Sequence, residues 1–265
     1  MTKETVLITG ATSGIGFELA KLFAKDGYPL VIVSRDQDKL ENVAGQLRQL
    51  SKTEVTVIAK DLFNAKAAQE VYQETKAKNL NIGILVNNAG QGQYGLFAES
   101  DLQRELDIIQ LNICSLVSLT HCFLQDFKSN GKGKILNLSS IASKSPGPWQ
   151  AVYHATKAFV QSFTEAIRSE LKETDITVTA LLPGATDTDF FNKADMNASK
   201  ITQDKSKMSN PADVAKDGYE ALMNNDDMVV SGFKNKANVA MSGVTPDEML
   251  ANNTNKMQQP AKKAS

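Results

Sequence analysis

The chain has 265 residues, of which 42% are hydrophobic and 22% are charged, proportions that exclude a disordered chain. Because 29 Lys and Arg balance 30 Asp and Glu, the charge does not favour nucleic acid or an anionic membrane as a partner. No apolar run approaches the roughly 18 residues that span a bilayer, and the first apolar run begins too early for a signal peptide. We therefore expect a soluble, cytoplasmic protein.

Seven apolar runs rich in β-branched residues alternate with segments of helical periodicity. The runs are 5–9, 29–34, 54–59, 82–87, 133–139, 175–182 and 227–231, and the helical segments lie near 14–26, 38–50, 65–78, 100–129, 152–173 and 210–225. Alternating strands and helices predict a parallel sheet that is covered on both faces. We expect an α/β fold with one Rossmann-like, doubly wound domain over residues 1–232, a strand order of 3-2-1-4-5-6-7, and a ligand crevice beyond the carboxyl ends of the strands.

A glycine-rich turn follows the first predicted strand and leads into the first helix. Glycine permits a tight turn and a close approach of backbone N–H groups to pyrophosphate, and the helix N-terminus adds a favourable dipole. The alternative is a glycine turn without a ligand, which the flanking strand and helix disfavour. The predicted phosphate contacts are Gly10, Thr12, Ser13, Gly14, Ile15 and Gly16.

The spacing of these glycines resembles the TGxxxGIG segment of the short-chain dehydrogenase/reductase family, and the resemblance extends from residue 4 to about residue 232. Asp61-Leu62 is similar to the family's pair beside the adenine, and residues 87–90 match its NNAG segment. Pro183-Gly184, with Thr188 four residues on, is similar to the family's PGxxxT segment, which contacts the nicotinamide carboxamide in family members. The further cofactor contacts that the resemblance implies are Asp61, Leu62, Asn88, Ala89, Gly90, Pro183, Gly184, Thr186 and Thr188, together with Tyr153 and Lys157.

Ser34 and Arg35 end the second predicted strand and bear on the choice of cofactor. An acidic residue at the place of Ser34 would bind the ribose hydroxyls of NAD and repel the 2′-phosphate of NADP. The planar guanidinium of Arg35 can donate two parallel hydrogen bonds to phosphate oxygens. We therefore expect NADP(H) rather than NAD(H), although Ser13 stands where NADP-preferring relatives often have a second basic residue. The alternative is that Arg35 only faces solvent.

The predicted helix 100–129 carries apolar residues on most of its sides, so it must be buried on most sides. We expect it to form a homodimer or homotetramer interface together with helix 152–173, unless the neighbouring helix alone covers it. Its two cysteines, Cys114 and Cys122, are too far apart along the helix for a disulfide and match no metal site. We expect free thiols and no bound metal.

Tyr153 and Lys157 lie one turn apart on the same face of the sixth predicted helix. Tyr72 and Lys76 have the same spacing, so the spacing alone is weak evidence. Ser140 lies 13 residues before Tyr153 at the carboxyl end of the fifth strand, whereas an alanine occupies that place before Tyr72. We therefore assign catalysis to the first pair.

The residue types predict proton transfer to or from a carbonyl oxygen. A free phenol titrates at about 10, but the Lys157 ammonium and the positive ring of an oxidised nicotinamide are expected to lower the pKa of Tyr153. Ser140 is expected to orient the oxygen in preference to Ser139, because successive strand residues face opposite sides. In the family, an asparagine at the place of Asn112 holds a water that links the lysine to a proton relay; the alternative is an amide satisfied locally.

Two further segments depart from the regular pattern. Residues 184–208 have no clear period and are expected to form a lid over cofactor and substrate. Residues 233–265 are expected to be a polar extension with one short helix at 246–253, capped by Thr245, and with a frayed end from residue 257 onwards.

The remaining aromatic and amide residues near the strand ends predict a largely apolar pocket. The expected pocket residues are Gln91, Gln93, Tyr94, Ser140, Pro148, Trp149, Phe190 and Phe191. The favoured function is a carbonyl reductase or alcohol dehydrogenase that acts on a ketone, an aldehyde or a secondary alcohol with an apolar body. A 3-oxoacyl-thioester reductase of lipid metabolism is the alternative enzyme. A non-catalytic NADP(H)-binding sensor or scaffold is disfavoured because Asn112, Ser140, Tyr153 and Lys157 are all present.

Overall fold

The computed structural model describes residues 3–261 and contains a seven-stranded parallel sheet in the order β3-β2-β1-β4-β5-β6-β7. The strands are β1 Thr5–Thr9, β2 Leu30–Ser34, β3 Val55–Ala59, β4 Ile82–Asn87, β5 Lys132–Leu138, β6 Asp175–Leu182 and β7 Met228–Val230. Each strand begins and ends within one residue of the predicted run. The predicted fold class and strand order are therefore confirmed.

Helices cover both faces of the sheet. They are α1 Gly14–Lys25, α2 Gln37–Ser51, α3 Ala67–Ala77, α4 Leu102–Ile109, α5 Ser115–Asn130, α6 Ala151–Glu170, α7 Phe190–Lys193, α8 Pro211–Asn224, α9 Phe233–Ser242 and α10 Asp247–Gln258. Phe23 of α1 and Leu222 of α8 pack with Ile8 on one face, whereas Phe123 of α5 packs with Leu7 on the other. Leu7 and Ile8 are adjacent and fully buried, so β1 has the continuous apolar sequence of a strand covered on both sides.

The strand order reverses direction between β1 and β4, which pair with each other although two strands separate them in sequence. The connection after β1 leads away to β2, and the connection after β4 leads to β5 on the opposite side. The loops that follow these two strands therefore diverge and leave a crevice at their carboxyl ends. The glycine turn after β1 and the Asn88-Ala89-Gly90 segment after β4 both lie at this crevice.

A π-helical turn at Gln110–Cys114 joins α4 to α5, so that 102–130 is one helix of 29 residues. Its most apolar 18-residue window has a mean hydropathy of 1.4, which by length and composition alone is enough to cross a membrane. Polar residues such as Asn112 and Thr120 interrupt this window, so it is not a continuous apolar run, and the absence of a membrane partner stays a prediction. Phe123 and Phe127 on this helix are fully buried against the sheet, and this packing accounts for the apolar character of that face.

The outer surface of the α4–α5 helix and of α6 retains exposed apolar side chains. Leu102 is 65% exposed, Leu106 is 48% exposed and Phe159 is 40% exposed, and Phe159 stacks on Phe163 with ring centroids 5.9 Å apart. The neighbouring helix therefore does not cover this surface completely. A subunit interface at this surface stays a prediction.

Residues 184–208 and the C-terminal segment are more regular than expected. The first contains the short helix α7 and three single helical turns, and the second contains both α9 and α10. Helix α9 was missed because none of its residues is buried and so no apolar stripe marks it in the sequence. The predicted cap at Thr245 is wrong: Pro246 precedes the helix, and the Thr245 hydroxyl donates to the carbonyl of Met241 at 2.8 Å.

The predicted frayed end begins too early, because residues 257–261 are held by the rest of the chain. Pro260 pairs with Ser199, and the N–H of Ala261 donates to the carbonyl of Ala198 at 2.8 Å. Residues 262–265 of the predicted frayed segment lie outside the described residues. The division of the chain at residue 232 stays a prediction.

Replacing Gly16 by Ala is expected to destabilise the fold. A methyl group on Gly16 would lie 2.5 Å from the carbonyl oxygen of Gly10 and 3.0 Å from Cγ of Asn88. Both neighbours are fixed, because the Asn88 amide donates to the carbonyls of Thr9 at 2.8 Å and Gly10 at 3.0 Å. We expect a loss of about 1–3 kcal/mol in the free energy of unfolding, measured by urea titration.

Gly45 provides the matched control, because it lies inside α2 and a methyl group there would meet nothing within 4 Å. Gly45→Ala is expected to raise the free energy of unfolding by about 0.5–1 kcal/mol, since alanine restricts the unfolded chain. Equal effects of the two substitutions would show that the Gly16 contacts do not limit stability.

Candidate functional site

A cavity of about 840 Å³ opens at the carboxyl ends of the strands, a volume within the usual range for a ligand pocket. Every residue predicted above as a cofactor contact lines this cavity, except Gly16, which is buried in the first turn of α1. The fold therefore brings segments from the whole length of the chain to one wall. Among the catalytic candidates, Ser140, Tyr153 and Lys157 also line it.

The glycine turn has the backbone shape that phosphate binding requires. Gly10 and Gly14 have φ angles of +67° and +57°, which other residues adopt only with strain. A methyl group on Gly14 would lie 2.9 Å from Cγ2 of Thr188, so a side chain would also fill the space at the N-terminus of α1. This cradle fits the pyrophosphate of a dinucleotide.

Thr9 and Asn88 connect the turn after β1 to the segment after β4. The Thr9 hydroxyl accepts the N–H groups of Asn88 and Ala89, each at 3.0 Å, and donates to the carbonyl of Val86 at 3.3 Å. These bonds hold the two walls of the crevice together. Thr9 was not predicted as a site residue, because its hydroxyl acts across 79 residues of sequence.

The end of β2 presents Ser34 and Arg35 to the cavity. The hydroxyls of Ser34 and Thr12 lie 3.5 Å apart. The Arg35 guanidinium lies 5.7 Å from the ring of Phe63, and that of Arg104 lies 5.5 Å from the same ring. The ring thus supports Arg35 by a cation–π contact at the wall where an adenosine ribose is expected.

Ser140, Tyr153 and Lys157 converge at the other end of the cavity. Nζ of Lys157 lies 5.8 Å from the ring centroid of Tyr153 and donates to the carbonyl of Leu138 at 2.8 Å. Ser140 follows β5, and its hydroxyl lies beside the phenol. The hydroxyl of Ser139 instead donates to the carbonyl of Lys157 at 2.8 Å. The two serines therefore face opposite ways, as predicted.

Burial changes the titration of both members of the Tyr-x-x-x-Lys pair. It raises the pKa of Tyr153 to about 12, and the Ser140 hydroxyl partly opposes this shift. It lowers the pKa of Lys157 to about 8. The expected lowering of the phenol pKa is therefore not a property of the chain by itself, because burial raises the pKa of Tyr153 instead.

Asn112 lies in the π-helical turn and is buried. Its Oδ1 accepts the N–H of Gln91 at 3.0 Å, and its Nδ2 donates to the carbonyl of Gln91 at 2.9 Å and to the hydroxyl of Thr156 at 3.0 Å. A methyl group on Gly90 would lie 3.3 Å from both Asn112 Oδ1 and Lys157 Nζ. The amide is therefore satisfied locally, beside the lysine but not among the residues that line the cavity.

The predicted pocket residues divide into two groups. Gln91, Ser140, Phe190 and Phe191 line the cavity, whereas Gln93, Tyr94, Pro148 and Trp149 do not. The expectation that all eight form the pocket wall is therefore wrong for the second group.

Tyr94 and Trp149 instead hold the C-terminal helix α10. Their rings stack with centroids 5.6 Å apart. The Tyr94 hydroxyl donates to the carbonyl of Gln258 at 2.7 Å, and the Trp149 indole donates to Oδ1 of Asn255 at 2.8 Å. Sequence alone could not separate an aromatic residue that faces the cavity from one that faces a distant helix.

Residues that sequence reasoning missed complete the cavity. Its additional apolar lining residues include Met196, Ile201, Val239, Met241, Leu250 and Met257. Three buried polar residues, Gln150, His154 and Gln258, also line it. Nδ1 of His154 lies 2.9 Å from the carbonyl oxygen of Ser145, Nε2 lies 3.0 Å from Nε2 of Gln258, and burial lowers the pKa of the imidazole.

Comparisons with known proteins agree with this architecture. The profile of the short chain dehydrogenase family matches residues 4–199. The chain is 38% identical to sulfoacetaldehyde reductase 2 of Chromohalobacter salexigens over 189 residues, which cover 71% of this chain and 74% of that protein. It is 36% identical to the very-long-chain 3-oxoacyl-CoA reductase of Bos taurus, over 68% of this chain but only 58% of that protein.

A solved structure extends the likeness to almost the full length. The short-chain dehydrogenase from Sphingobium yanoikuyae in complex with NADPH superposes with a TM-score of 0.81 and 28% identity, covering 99% of this chain and 98% of that one. The fold, the glycine turn and the family profile all agree. This chain is a member of the short-chain dehydrogenase family of oxidoreductases.

Proposed function

We propose that this protein is an NADP(H)-dependent oxidoreductase that interconverts a ketone or aldehyde and the corresponding alcohol, with Tyr153 as the general acid/base. The observation that carries the proposal is that Ser140, Tyr153 and Lys157 meet in the same cavity as the glycine turn. A proton donor and a dinucleotide cradle at one crevice suit hydride transfer to a carbonyl carbon.

Ser140, Tyr153 and Lys157 each have a separate role in the proposed reaction. A bound nicotinamide supplies or accepts the hydride. In the direction of reduction, the Ser140 hydroxyl donates a hydrogen bond that orients the carbonyl oxygen, and Tyr153 transfers its phenolic proton to that oxygen. The high pKa of the buried phenol keeps it protonated, as an acid requires. In the direction of oxidation, the phenolate accepts the proton, and the Lys157 ammonium stabilises that anion.

Ser34 and Arg35 support a preference for NADP(H), because serine does not repel a 2′-phosphate and arginine can bind it. The NADPH complex of the Sphingobium relative favours the same choice. The second enzyme function, reduction of a 3-oxoacyl thioester, is favoured by the bovine relative of that activity. We further propose that residues 184–208 close over the site.

The test is NADPH oxidation by the purified chain with a panel of ketones, aldehydes and 3-oxoacyl thioesters, with NADH in parallel. We expect turnover of at least one carbonyl class, with a higher kcat/KM for NADPH than for NADH. Dinucleotide binding without turnover of any panel member would favour a sensor or scaffold, and no binding of either dinucleotide would contradict the proposal altogether.

The low pKa of Lys157 predicts how dinucleotide affinity depends on pH. The pKa of Lys157 is about 8 in the chain alone, and a dinucleotide with anionic phosphates and hydroxyl acceptors favours the ammonium form. Binding therefore raises this pKa, so the complex takes up a proton above about pH 8. Affinity is expected to be constant below that pH and to fall by up to about tenfold per pH unit above it.

Calorimetric titration of NADPH in two buffers of different ionisation enthalpy measures this proton uptake. Lys157→Met is the control, because it removes the titrating group. Proton uptake above pH 8 that persists unchanged in this variant would assign it to another residue.

A further inference from the structure

His154 is a buried titratable residue that directly follows Tyr153 but has no role in the proposed reaction. It is 6% exposed and lines the cavity. Its Nδ1 lies 2.9 Å from the carbonyl oxygen of Ser145, and a carbonyl can only accept a hydrogen bond, so Nδ1 carries the ring proton. Burial lowers the pKa of the imidazole, which favours the neutral ring. Nε2 of His154 is therefore a hydrogen-bond acceptor.

The side-chain amide of Gln258, the last residue of α10, donates to this acceptor. Nε2 of Gln258 lies 3.0 Å from Nε2 of His154, and both side chains are buried. Oε1 of Gln258 is also buried and has no hydrogen-bond partner among the described residues. A flipped amide would place this oxygen against the lone pair of the imidazole, and two acceptors repel each other. The imidazole therefore fixes the direction of the amide.

The backbone of Gln258 joins two further segments at the same place. Its carbonyl accepts the hydroxyl of Tyr94 at 2.7 Å and the hydroxyl of Ser199 at 2.9 Å. Tyr94 follows β4, and Ser199 lies in the segment 184–208. Gln258 thus connects the end of α10 to three parts of the chain, and its side chain makes the connection to the helix that carries Tyr153.

Helix α10 depends on such polar contacts for its position. Among its 12 residues, all of which the structure describes, only Thr254 and Gln258 are buried, and both are polar. Burial of apolar side chains therefore contributes little to the attachment of this helix. Segments with few buried apolar contacts open at a low free energy. Loss of the contact with His154 is therefore expected to displace α10.

Helix α10 also forms one wall of the cavity. Leu250, Thr254 and Met257 line the cavity together with Gln258. Other segments, including the glycine turn and the end of β2, form the part of the cavity that suits a dinucleotide. Displacement of α10 would therefore change the part of the cavity left for the substrate.

On the basis of the function proposed above, we propose that His154 is a positioning residue for the substrate: by accepting the Gln258 amide, it holds α10 as the wall against which the apolar body of the substrate packs. A longer substrate buries more methylene groups against this wall, so it loses more affinity when the helix is displaced. A short substrate at Tyr153 does not reach α10 and is unaffected.

The position of α10 can be measured without a substrate, because Trp149 is the one tryptophan of the chain. Its indole donates to Oδ1 of Asn255 on α10 at 2.8 Å and stacks on the ring of Tyr94. Gln258→Met removes the amide but keeps the backbone carbonyl that Tyr94 and Ser199 bind. We expect this variant to raise the acrylamide quenching constant of the Trp149 fluorescence, because a displaced α10 uncovers the indole.

The kinetic experiment compares His154→Leu, Gln258→Met and the double variant in the full-length chain with saturating NADPH. Each single substitution is expected to raise KM for octan-2-one by about tenfold, the value of one hydrogen bond. The double variant is expected to raise KM no further, because both substitutions remove the same contact. KM for butan-2-one, kcat and the dissociation constant of NADPH are expected to stay unchanged.

The same comparison of chain lengths applies to the other carbonyl classes. Butanal and octanal replace the ketones if the chain reduces only aldehydes, and 3-oxobutanoyl and 3-oxooctanoyl thioesters replace them if it reduces only thioesters. His121→Leu is the matched control. His121 is the other histidine of the chain, is exposed on α5 and does not line the cavity, so the quenching constant and both KM values are expected to stay the same.

Unchanged quenching and an unchanged KM for the longer substrate in Gln258→Met overturn this inference and leave the proposed function intact, because the carbonyl compound is still reduced. An equal rise of KM for the short and the long substrate, together with a lower Tm, assigns His154 a general structural role and also overturns it. If the unmodified chain turns over no carbonyl compound, the proposed function fails and the substrate role of His154 fails with it. The quenching experiment then still decides whether His154 holds α10.

Discussion

Tyr153→Phe is expected to lower kcat for carbonyl reduction by a factor of about 10²–10⁴, the usual contribution of general acid–base catalysis. Phenylalanine keeps the ring that packs against Phe190 with centroids 5.1 Å apart but has no proton to give. Dinucleotide affinity is expected to change little, because the glycine turn and the end of β2 are untouched. Single-turnover kinetics with NADPH, together with its dissociation constant, measure the two effects separately.

Tyr72→Phe is the control for this experiment, because Tyr72 has the same spacing to a lysine. Its hydroxyl donates to Oδ1 of Asp126 at 3.1 Å, and Lys76 pairs with the same carboxylate at 3.1 Å. This pair joins α3 to α5 outside the cavity, so kcat should be unchanged. A Tyr153→Phe enzyme that retains more than a tenth of the original kcat would contradict the assigned role of the phenol.

Ser34→Asp combined with Arg35→Ala is expected to reverse the cofactor preference from NADPH to NADH. The aspartate would repel the 2′-phosphate and bind the ribose hydroxyls, and the loss of Arg35 removes a charge-assisted hydrogen bond. Such bonds contribute about 1.5–3 kcal/mol, which corresponds to roughly a tenfold to hundredfold loss of NADPH affinity before repulsion is added. The ratio of kcat/KM for the two cofactors is the measurement.

Arg48→Ala is the control that tests whether the loss of any one positive charge changes the cofactor preference. Arg48 lies on α2, donates to the carbonyl of Val55 at 2.6 Å and does not line the cavity. The cofactor ratio should stay the same in this variant. If the double substitution at residues 34 and 35 also leaves the ratio unchanged, Arg35 faces solvent and the preference lies elsewhere.

The order of the sheet and most of the cofactor wall were predictable from the sequence, because their signals are local. A short apolar run indicates a β-strand. Glycines such as Gly10 and Gly14 indicate a phosphate-binding turn, because their positive φ angles are strained for residues other than glycine. Tyr153 and Lys157 could be assigned to one site because they lie one helical turn apart on the same face. Ser140 could be chosen over Ser139 because successive strand residues face opposite sides of the sheet.

Other features depend on contacts between distant parts of the chain. His154 contacts Gln258, which lies 104 residues later in the sequence. Tyr94 and Trp149 contact the C-terminal helix α10 and do not line the cavity. Helix α9 has no buried residue to mark it. The Nε2 of Gln150 is buried without a hydrogen-bond partner among the described residues, and only the folded chain places it there.

The sequence by itself determined the family and the topology, and it identified Tyr153 and Lys157 as the candidate pair for proton transfer, since these follow from residue type and short-range spacing. Only the tertiary structure determined the pKa shifts of that pair and which apolar residues line the rest of the cavity. The physical reason is that desolvation and hydrogen-bond pairing are set by all the atoms around a group. Burial moves the pKa of Tyr153 up and that of Lys157 down, and no local pattern of residues encodes that burial.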